Sequence, residues 1–394
     1  MIDSIKILDN CRILSKYLED NKDALWGILS KYEPYNVFED ELNKSVLVLS
    51  NIETELNNYT KSTVKISVFL PINLPIFSFI IYCFLPSFFC DELNVRIPVV
   101  MRNIFDCIYL HFKLSKALGN IHLRNVDRKS FVDKFVCDSD IVIFLGNPVN
   151  AHEVISHCKN ESLFIFEGIG LNPSIILGDA NLEKAASDIV RVRTFNSGQD
   201  CGSTDSIFVF DEIYDSFLSI LKERINAVEV GDYGNKNIVV GKIHEKNAFL
   251  KAKNTIYAHK EHITLGGMVD DVKNIIYPTL IEYSVKEFLN FEEFFSPIFF
   301  VVRFKHEEDL DLYFQDSRFL DNTMYVSIYG TSKYESKIKN SIILHDNQII
   351  DIEDGNKPYG GYSKNSSFVK YRNHIEYRPI LISEEIRKFL STKI

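Results

Sequence analysis

The sequence predicts an α/β protein made of two doubly wound domains. Three observations lead there. Over residues 64–177, apolar runs the length of buried strands alternate with stretches of helical periodicity, the pattern of strand–helix–strand units on a parallel sheet. The alternation resumes after Ser206, with a strand over 207–210, a helix over 212–228 and later strands near 263–265 and 298–304. Between the two halves lies a stretch with a carboxylate at one end, Glu167, and a thiol at the other, Cys201, 34 residues further on.

Bulk composition narrows the class. A chain of 394 residues can build two or three domains with substantial cores. Its 46% hydrophobic and 25% charged content is ordinary for a globular protein. A net charge of −10 argues against nucleic acid or an anionic membrane as main partner and serves solubility. The seven cysteines are odd in number, scattered and never in a CxxC pair. Reduced thiols in the cytoplasm fit that better than disulfides or zinc. The acid-containing N-terminus lacks a signal-peptide apolar region. Residues 68–90 carry no charge and are long enough to cross a bilayer. Pro71, Pro75 and Pro86 interrupt them, and each removes a helix hydrogen bond. A buried strand, a proline-rich turn and a buried helix are expected instead.

Residues 1–60 read as amphipathic helices, with apolar spacing at Ile5, Leu8, Cys11, Leu14 and Leu18 and again at Leu42, Val46, Leu49, Ile52 and Leu56. A strand over 67–70 then enters a turn holding Asn73 between two prolines, where asparagine is a common turn residue. The next strand, 93–98, carries Arg96 near its end. A third, 140–145, leads to Gly146, with Asn147 as helix N-cap and Pro148 as first helical residue. A helix N-terminus after a parallel strand suits a dinucleotide pyrophosphate. His152 and His157 are five apart and do not share a helix face, so no metal motif is read there.

A strand over 162–166 runs into Glu167-Gly168-Ile169-Gly170, followed by a strand at 174–177, a helix at 181–194 and the loop Phe195-Asn196-Ser197-Gly198-Gln199-Asp200-Cys201. A carboxylate and a thiol, each beside glycines that allow close backbone approach, point to covalent thiol chemistry with a general base. The helix carrying Ile213, Phe217 and Leu221 is a core helix. Downstream lie Phe291-Glu292-Glu293-Phe294-Phe295-Ser296-Pro297 and Lys357-Pro358-Tyr359-Gly360-Gly361-Tyr362-Ser363-Lys364. A last strand, 378–382, is expected to add to a sheet or to a partner subunit.

Taken together, Glu-Gly-Ile-Gly-Leu-Asn-Pro-Ser-Ile-Ile, Phe-Asn-Ser-Gly-Gln-Asp-Cys, the Glu-Glu-Phe-Phe-Ser-Pro segment and the Pro-Tyr-Gly-Gly turn resemble the aldehyde dehydrogenase superfamily, as a divergent, short member. The resemblance implies two Rossmann-like domains with the active site in the cleft between them. It divides the chain into 1–166 (N-terminal helices and dinucleotide-binding domain), 167–355 (catalytic domain) and 356–394 (a segment closing the site and contributing to oligomerisation). It implies Cys201 as nucleophile, Glu167 as base and Asn73 as oxyanion donor. On the cofactor side it implies Arg96 for the adenosine ribose, Gly146 and Asn147 for the pyrophosphate turn, Glu293 for the nicotinamide ribose, and Phe295 alongside. Phe294 packs near the nicotinamide or in the core. The cofactor is NAD or NADP, because Val99 and Val100 stand where NAD-specific members have an acid.

The activity so implied is NAD(P)-dependent oxidation of a small-molecule aldehyde to a carboxylic acid, through a cysteine thiohemiacetal and thioester, by a cytoplasmic homo-oligomer (a dimer). Two alternatives remain on the same fold. One is an acyl-CoA or acyl-carrier thioester reductase, the other a catalytically weak paralogue that binds a partner. Departures from the family pattern are Ala151 for a glycine, Ser296 for a glycine, Ser206 for an arginine, and Asp200, whose charge beside Cys201 should raise the thiol pKa.

Overall fold

Fourteen of the chain's strands assemble into two seven-stranded sheets in the computed structural model, which describes residues 4–288 and 290–392. Met1–Asp3, at the head of the expected helical region, and the last two residues of the C-terminal segment lie outside the described residues. Helices Ser4–Asp20, Lys22–Leu29 and Tyr35–Ser50 come first. The apolar spacing read in the sequence buries Ile7, Cys11, Leu14 and Leu18 on one face. That face shares a core with the first sheet.

The strands are β1 (Lys65–Phe69), β2 (Glu92–Arg96), β3 (Ile121–Leu123), β4 (Ile141–Leu145), β5 (Leu163–Glu167), β6 (Ser174–Ile176), β7 (Ser206–Phe210), β8 (Ile263–Leu265), β9 (Val269–Asp270), β10 (Ile275–Ile276), β11 (Thr279–Ser284), β12 (Ile298–Phe304), β13 (Tyr325–Tyr329), β14 (Ile342–His345), β15 (Ser367–Tyr371) and β16 (His374–Tyr377). The first sheet runs β16-β15-β5-β4-β1-β2-β3 and the second β14-β13-β6-β7-β12-β11-β8, with β9 and β10 forming a small separate pair. In the first sheet β1 to β5 are parallel, while β15 pairs antiparallel with both β5 and β16. The order reverses where β1 lies between β2 and β4, and the crevice beyond the carboxyl ends of strands at such a switch point is where open α/β sheets bind ligands. Asn73 follows β1, and Gly146 follows β4.

The α/β class and the two parallel sheets match the expectation. Two particulars do not. The strand at 174–176 belongs to the second sheet, between β13 and β7, rather than to the alternation that begins at residue 64. The chain crosses between sheets through the glycine turn after Glu167, which places that carboxylate at the seam. The expected strand over 378–382 is also displaced. Strand geometry ends at Tyr377, Arg378 forks onto Glu385 at 2.7 and 2.6 Å, and a helix runs from Ile382 to Thr392. The β15–β16 hairpin returns to β5 of the first sheet. Strands β3, β9, β10, β11, β13, β14, β15 and β16 are additions that the sequence reading misses.

The uncharged run 68–90 folds as β1, a turn, a helix Pro75–Phe79 and a π-helical turn Ile80–Phe84. Among the described residues no helix is long and apolar enough to cross a membrane.

Candidate active site

The cysteine loop begins where the helix Leu182–Thr194, N-capped by Asn181, gives way to three residues of positive φ: Asn196 (49°), Ser197 (57°) and Gly198 (79°). Two non-glycine residues in this region are strained, and their surroundings impose it. Ser197 Oγ lies 2.6 Å from the Tyr233 hydroxyl and accepts the Gly241 N–H at 2.8 Å. Gln199 Nε2 donates to the Asn196 carbonyl at 3.0 Å. A Cβ on Gly198 would sit 2.4 Å from the Ser296 carbonyl carbon, so only glycine lets the loop press on the 291–297 segment.

A second clamp lies below it. Arg193 is buried, and it donates to the carbonyls of Ile298 (2.9 Å) and Phe294 (2.7 Å) and to Ser203 Oγ (3.1 Å). Asp205, also buried, stands 3.7 Å from that guanidinium and accepts the Asn172 N–H at 3.1 Å.

Glu167 ends β5, buried at the seam of the sheets. Gly168 is squeezed between the Phe166 ring and the Asn365 carbonyl, with no room for a Cβ. Asn172 joins this turn to the cysteine loop: its Nδ2 donates to the carbonyls of Cys201 (2.7 Å) and Gly170 (3.1 Å), and its Oδ1 accepts the Tyr325 N–H (3.2 Å). The Tyr82 hydroxyl donates to Glu167 Oε2. Burial pushes the Glu167 carboxyl up to about 7, the Tyr82 bond opposes this, and Glu353 adds to it.

Cys201 is partly buried and free. Its Sγ lies 3.2 Å from the Tyr359 hydroxyl. Burial holds the thiol well above its ordinary value; Asp200, Glu293 and Glu353 push the same way, and Tyr359 opposes them. Asp200 is itself raised to about 6 by burial and Glu353, against the Gly202 N–H and Lys44. The effect expected of Asp200 from the sequence is therefore present.

Asn73 reaches the same loop from the first sheet, donating from Nδ2 to the Gln199 carbonyl at 3.4 Å. Its turn is fixed by Leu74 at φ 48° and by Glu41, which accepts the N–H groups of Ile76 (3.0 Å) and Phe77 (3.2 Å).

On the other side of the Gly168–Gly170 turn is a cleft of about 350 Å³. Gly146, Asn147, Glu293 and Phe295 line it, together with Lys251. Asn147 caps the helix Pro148–Ile155 as read from the sequence. Glu293 Oε1 accepts the Gly170 N–H at 3.2 Å. Phe294 also lines the cleft and packs into the core of the second sheet. Arg96, at the carboxyl end of β2 opposite Phe69, is not among the lining residues; its guanidinium sits 5.9 Å from the Phe69 ring, with Arg102 and Arg128 nearby.

Four of the five expected cofactor residues thus share one cleft, and all three expected catalytic residues converge beside it. Sequence reasoning passed over Tyr82, Asn172, Arg193, Glu353 and the role of Tyr359. The one available signal was a tyrosine in the Pro-x-Gly-Gly turn.

Comparison with known proteins bears on the family and the fold. Residues 127–372 match the family model described as the aldehyde dehydrogenase family. Lactaldehyde dehydrogenase of Escherichia coli (strain K12) is 30% identical over 176 residues, which cover 43% of this chain and 37% of that one. The NADP(+) succinate-semialdehyde dehydrogenase of the same organism is 25% identical over 182 residues, 45% of this chain and 38% of that one. The matched stretches thus take in less than half the length of these relatives. Among solved structures, succinic semialdehyde dehydrogenase from Streptococcus pyogenes in complex with NADP+ superposes with a TM-score of 0.81 at 15% identity, covering 96% of this chain and 91% of that one. Lactaldehyde dehydrogenase from Escherichia coli gives 0.79 at 17%, covering 98% and 85%. At such identities the superpositions speak for the fold.

Proposed function

Because this chain belongs to the aldehyde dehydrogenase family, we propose that it oxidises a small aldehyde to the carboxylic acid with Cys201 as nucleophile and NAD or NADP as cofactor. The observation that carries this reading is Asn172, whose one amide group holds both the glycine turn after Glu167 and the carbonyl of Cys201. Base and thiol are thereby fixed together, at the edge of a cleft lined by Gly146, Asn147, Glu293 and Phe295.

The cleft fits a dinucleotide in its donor set as well as its place. Glu293 offers a partly buried carboxyl group with an oxygen to accept ribose hydroxyls, and Gly146 lets the chain approach closely ahead of a capped helix N-terminus. Gly146, Asn147, Glu293 and Phe295 would hold the cofactor, and Arg96 would serve only its outer end. When bound, NAD or NADP supplies the hydride acceptor.

The chain's own residues do the rest. The Cys201 thiolate adds to the aldehyde carbon, forming the S–C bond of a thiohemiacetal. The oxygen that becomes negative is met by the Asn73 amide and the Cys201 N–H. After oxidation to the thioester, the Glu167 carboxylate takes a proton from water, the water oxygen bonds to the acyl carbon, and the thiolate leaves. A carboxyl near 7 is suited to that proton transfer.

Incubation of the purified protein with NAD or NADP and a panel of aldehydes, with Cys201→Ala as control, tests the reading. Aldehyde-dependent cofactor reduction that persists in the variant would sink the thiol mechanism.

The alternative on the same fold is reduction of an acyl thioester to the aldehyde. Oxidation of NADPH that depends on acyl-CoA would promote it. Two further parts of the proposal have separate supports. The free cysteines fit a reducing cytoplasm, and β16 ends the first sheet, an edge that a second copy could extend. Sedimentation velocity at several concentrations checks the dimer.

A further inference from the structure

The mechanism asks Cys201 to ionise among the acidic side chains of Asp200, Glu293 and Glu353. Glu353 is partly neutralised by Lys44 at 2.8 Å; Asp200 has the Gly202 N–H at 2.8 Å and no ion pair among the described residues. The uncharged titratable groups facing this space are Tyr82, Tyr325 and Tyr359, each of which feels the Cys201 charge. Of these, Tyr359 reaches the sulfur, at 3.2 Å.

Its position is built rather than incidental. The Tyr359 N–H donates to the Ile380 carbonyl at 3.0 Å, and its carbonyl accepts the Ile380 N–H at 2.7 Å. The next residue, Gly360, adopts φ +106° and donates its N–H to the Tyr325 hydroxyl at 3.0 Å. The Tyr325 and Tyr359 rings lie 5.8 Å apart. Backbone on both sides and one packed ring leave the phenol aimed at Sγ.

We infer that Tyr359 is a catalytic residue whose hydroxyl donates a hydrogen bond to the Cys201 thiolate and offsets the neighbouring Asp200 carboxylate. The inference rests on Cys201 being the nucleophile. The hydroxyl keeps its own proton throughout: burial and the surrounding Cys201, Tyr325, Glu353 and Asp200 hold it well above the ordinary tyrosine value. A group that stays protonated can only donate to a thiolate. No bond of Tyr359 is made or broken when the S–C bond forms.

The test is the pH dependence of iodoacetamide alkylation, read at the Cys201 peptide by mass spectrometry in the full chain. Tyr359→Phe deletes only the hydroxyl. Hydrogen bonds to charged groups are strong enough that the inflection should move to higher pH, and the rate at neutral pH should fall about tenfold or more. Asp200→Asn keeps an acceptor for Gly202 and removes the charge, so its inflection should move to lower pH. A Tyr359→Phe profile superimposable on the parent's overturns the inference, whatever Asp200→Asn does. The alkylation shift without any aldehyde oxidation would sink the proposed reaction and leave this contact standing; oxidation without the shift would do the reverse.

Discussion

The Tyr82 hydroxyl donates its hydrogen bond to Glu167, and both groups are buried at the seam between the two sheets. Tyr82 reaches there because it sits on a π-helical turn, Ile80–Phe84, in which the Leu85 N–H bonds to the Ile80 carbonyl at 3.0 Å. Such turns re-aim side chains relative to a regular helix and are frequent at functional sites. Burial raises the Glu167 carboxyl, and Tyr82 is the first influence opposing it.

Tyr82→Phe should therefore move the Glu167 carboxyl further up from about 7. With the base protonated over more of the neutral range, the acid limb of the pH–rate profile for aldehyde oxidation should shift upward by about one pH unit. Activity at neutral pH should fall and recover at alkaline pH. A limb that stays in place, in a variant that folds with parental stability, would show that the tyrosine does not tune the base.

Some of this was legible in the residues and some was not, for identifiable reasons. Glu167 and Cys201 stood out because glycines flank both and because few structural roles need that combination. Asn147 and Pro148 could be read as cap and first helical residue, since capping is local chemistry. The strand at 174–176 was recognisable as a strand, but three residues carry no information about which sheet they join. Tyr82 was hidden inside an uncharged run where every residue reads as core. Arg193, in the last turn of a helix, reads as a solvated cation favoured by the dipole; its partners are carbonyls more than a hundred residues away. Glu33 and Glu41 read as ordinary acids of an amphipathic helical region. Tyr82, Arg193 and Glu41 are set by contacts distant in sequence.

Glu33 and Glu41 are both fully buried, and each side chain leaves at least one oxygen without a hydrogen-bond partner. Glu41 also holds the start of the helix that follows Asn73. Burial raises both carboxyls, Glu41 from 4.5 to about 7. An acid with a raised folded-state pKa binds more protons folded than unfolded between those two values. Stability is thus highest below about 4.5 for this group and is lost as the pH rises towards 7, by about 3 kcal/mol over the full window. Glu33→Gln keeps the shape and lets a neutral amide donate to Glu41. Urea unfolding at pH 5 and pH 8 should show a smaller loss in the variant than in the parent. Equal losses in the two proteins would mean that the pair is not what titrates.

The last prediction concerns the clamp under the cysteine loop. Arg193 and Asp205 are each 1% exposed and 3.7 Å apart, and the arginine also holds the carbonyls of Phe294 and Ile298. Removing one member of a buried pair leaves the other charge without compensation, which costs about 3–5 kcal/mol. Arg193→Met should accordingly lower the unfolding free energy measured by urea titration by that amount. Arg193→Met with Asp205→Asn should recover part of it, because the stranded charge is gone. The functional consequence follows from the same bonds. Phe294 adjoins Glu293, so loosening its carbonyl should weaken NAD or NADP binding measured by calorimetry, even in the stability-rescued double variant. A loss below about 1 kcal/mol for Arg193→Met would show that the clamp is not what holds the Glu293 segment against the cysteine loop.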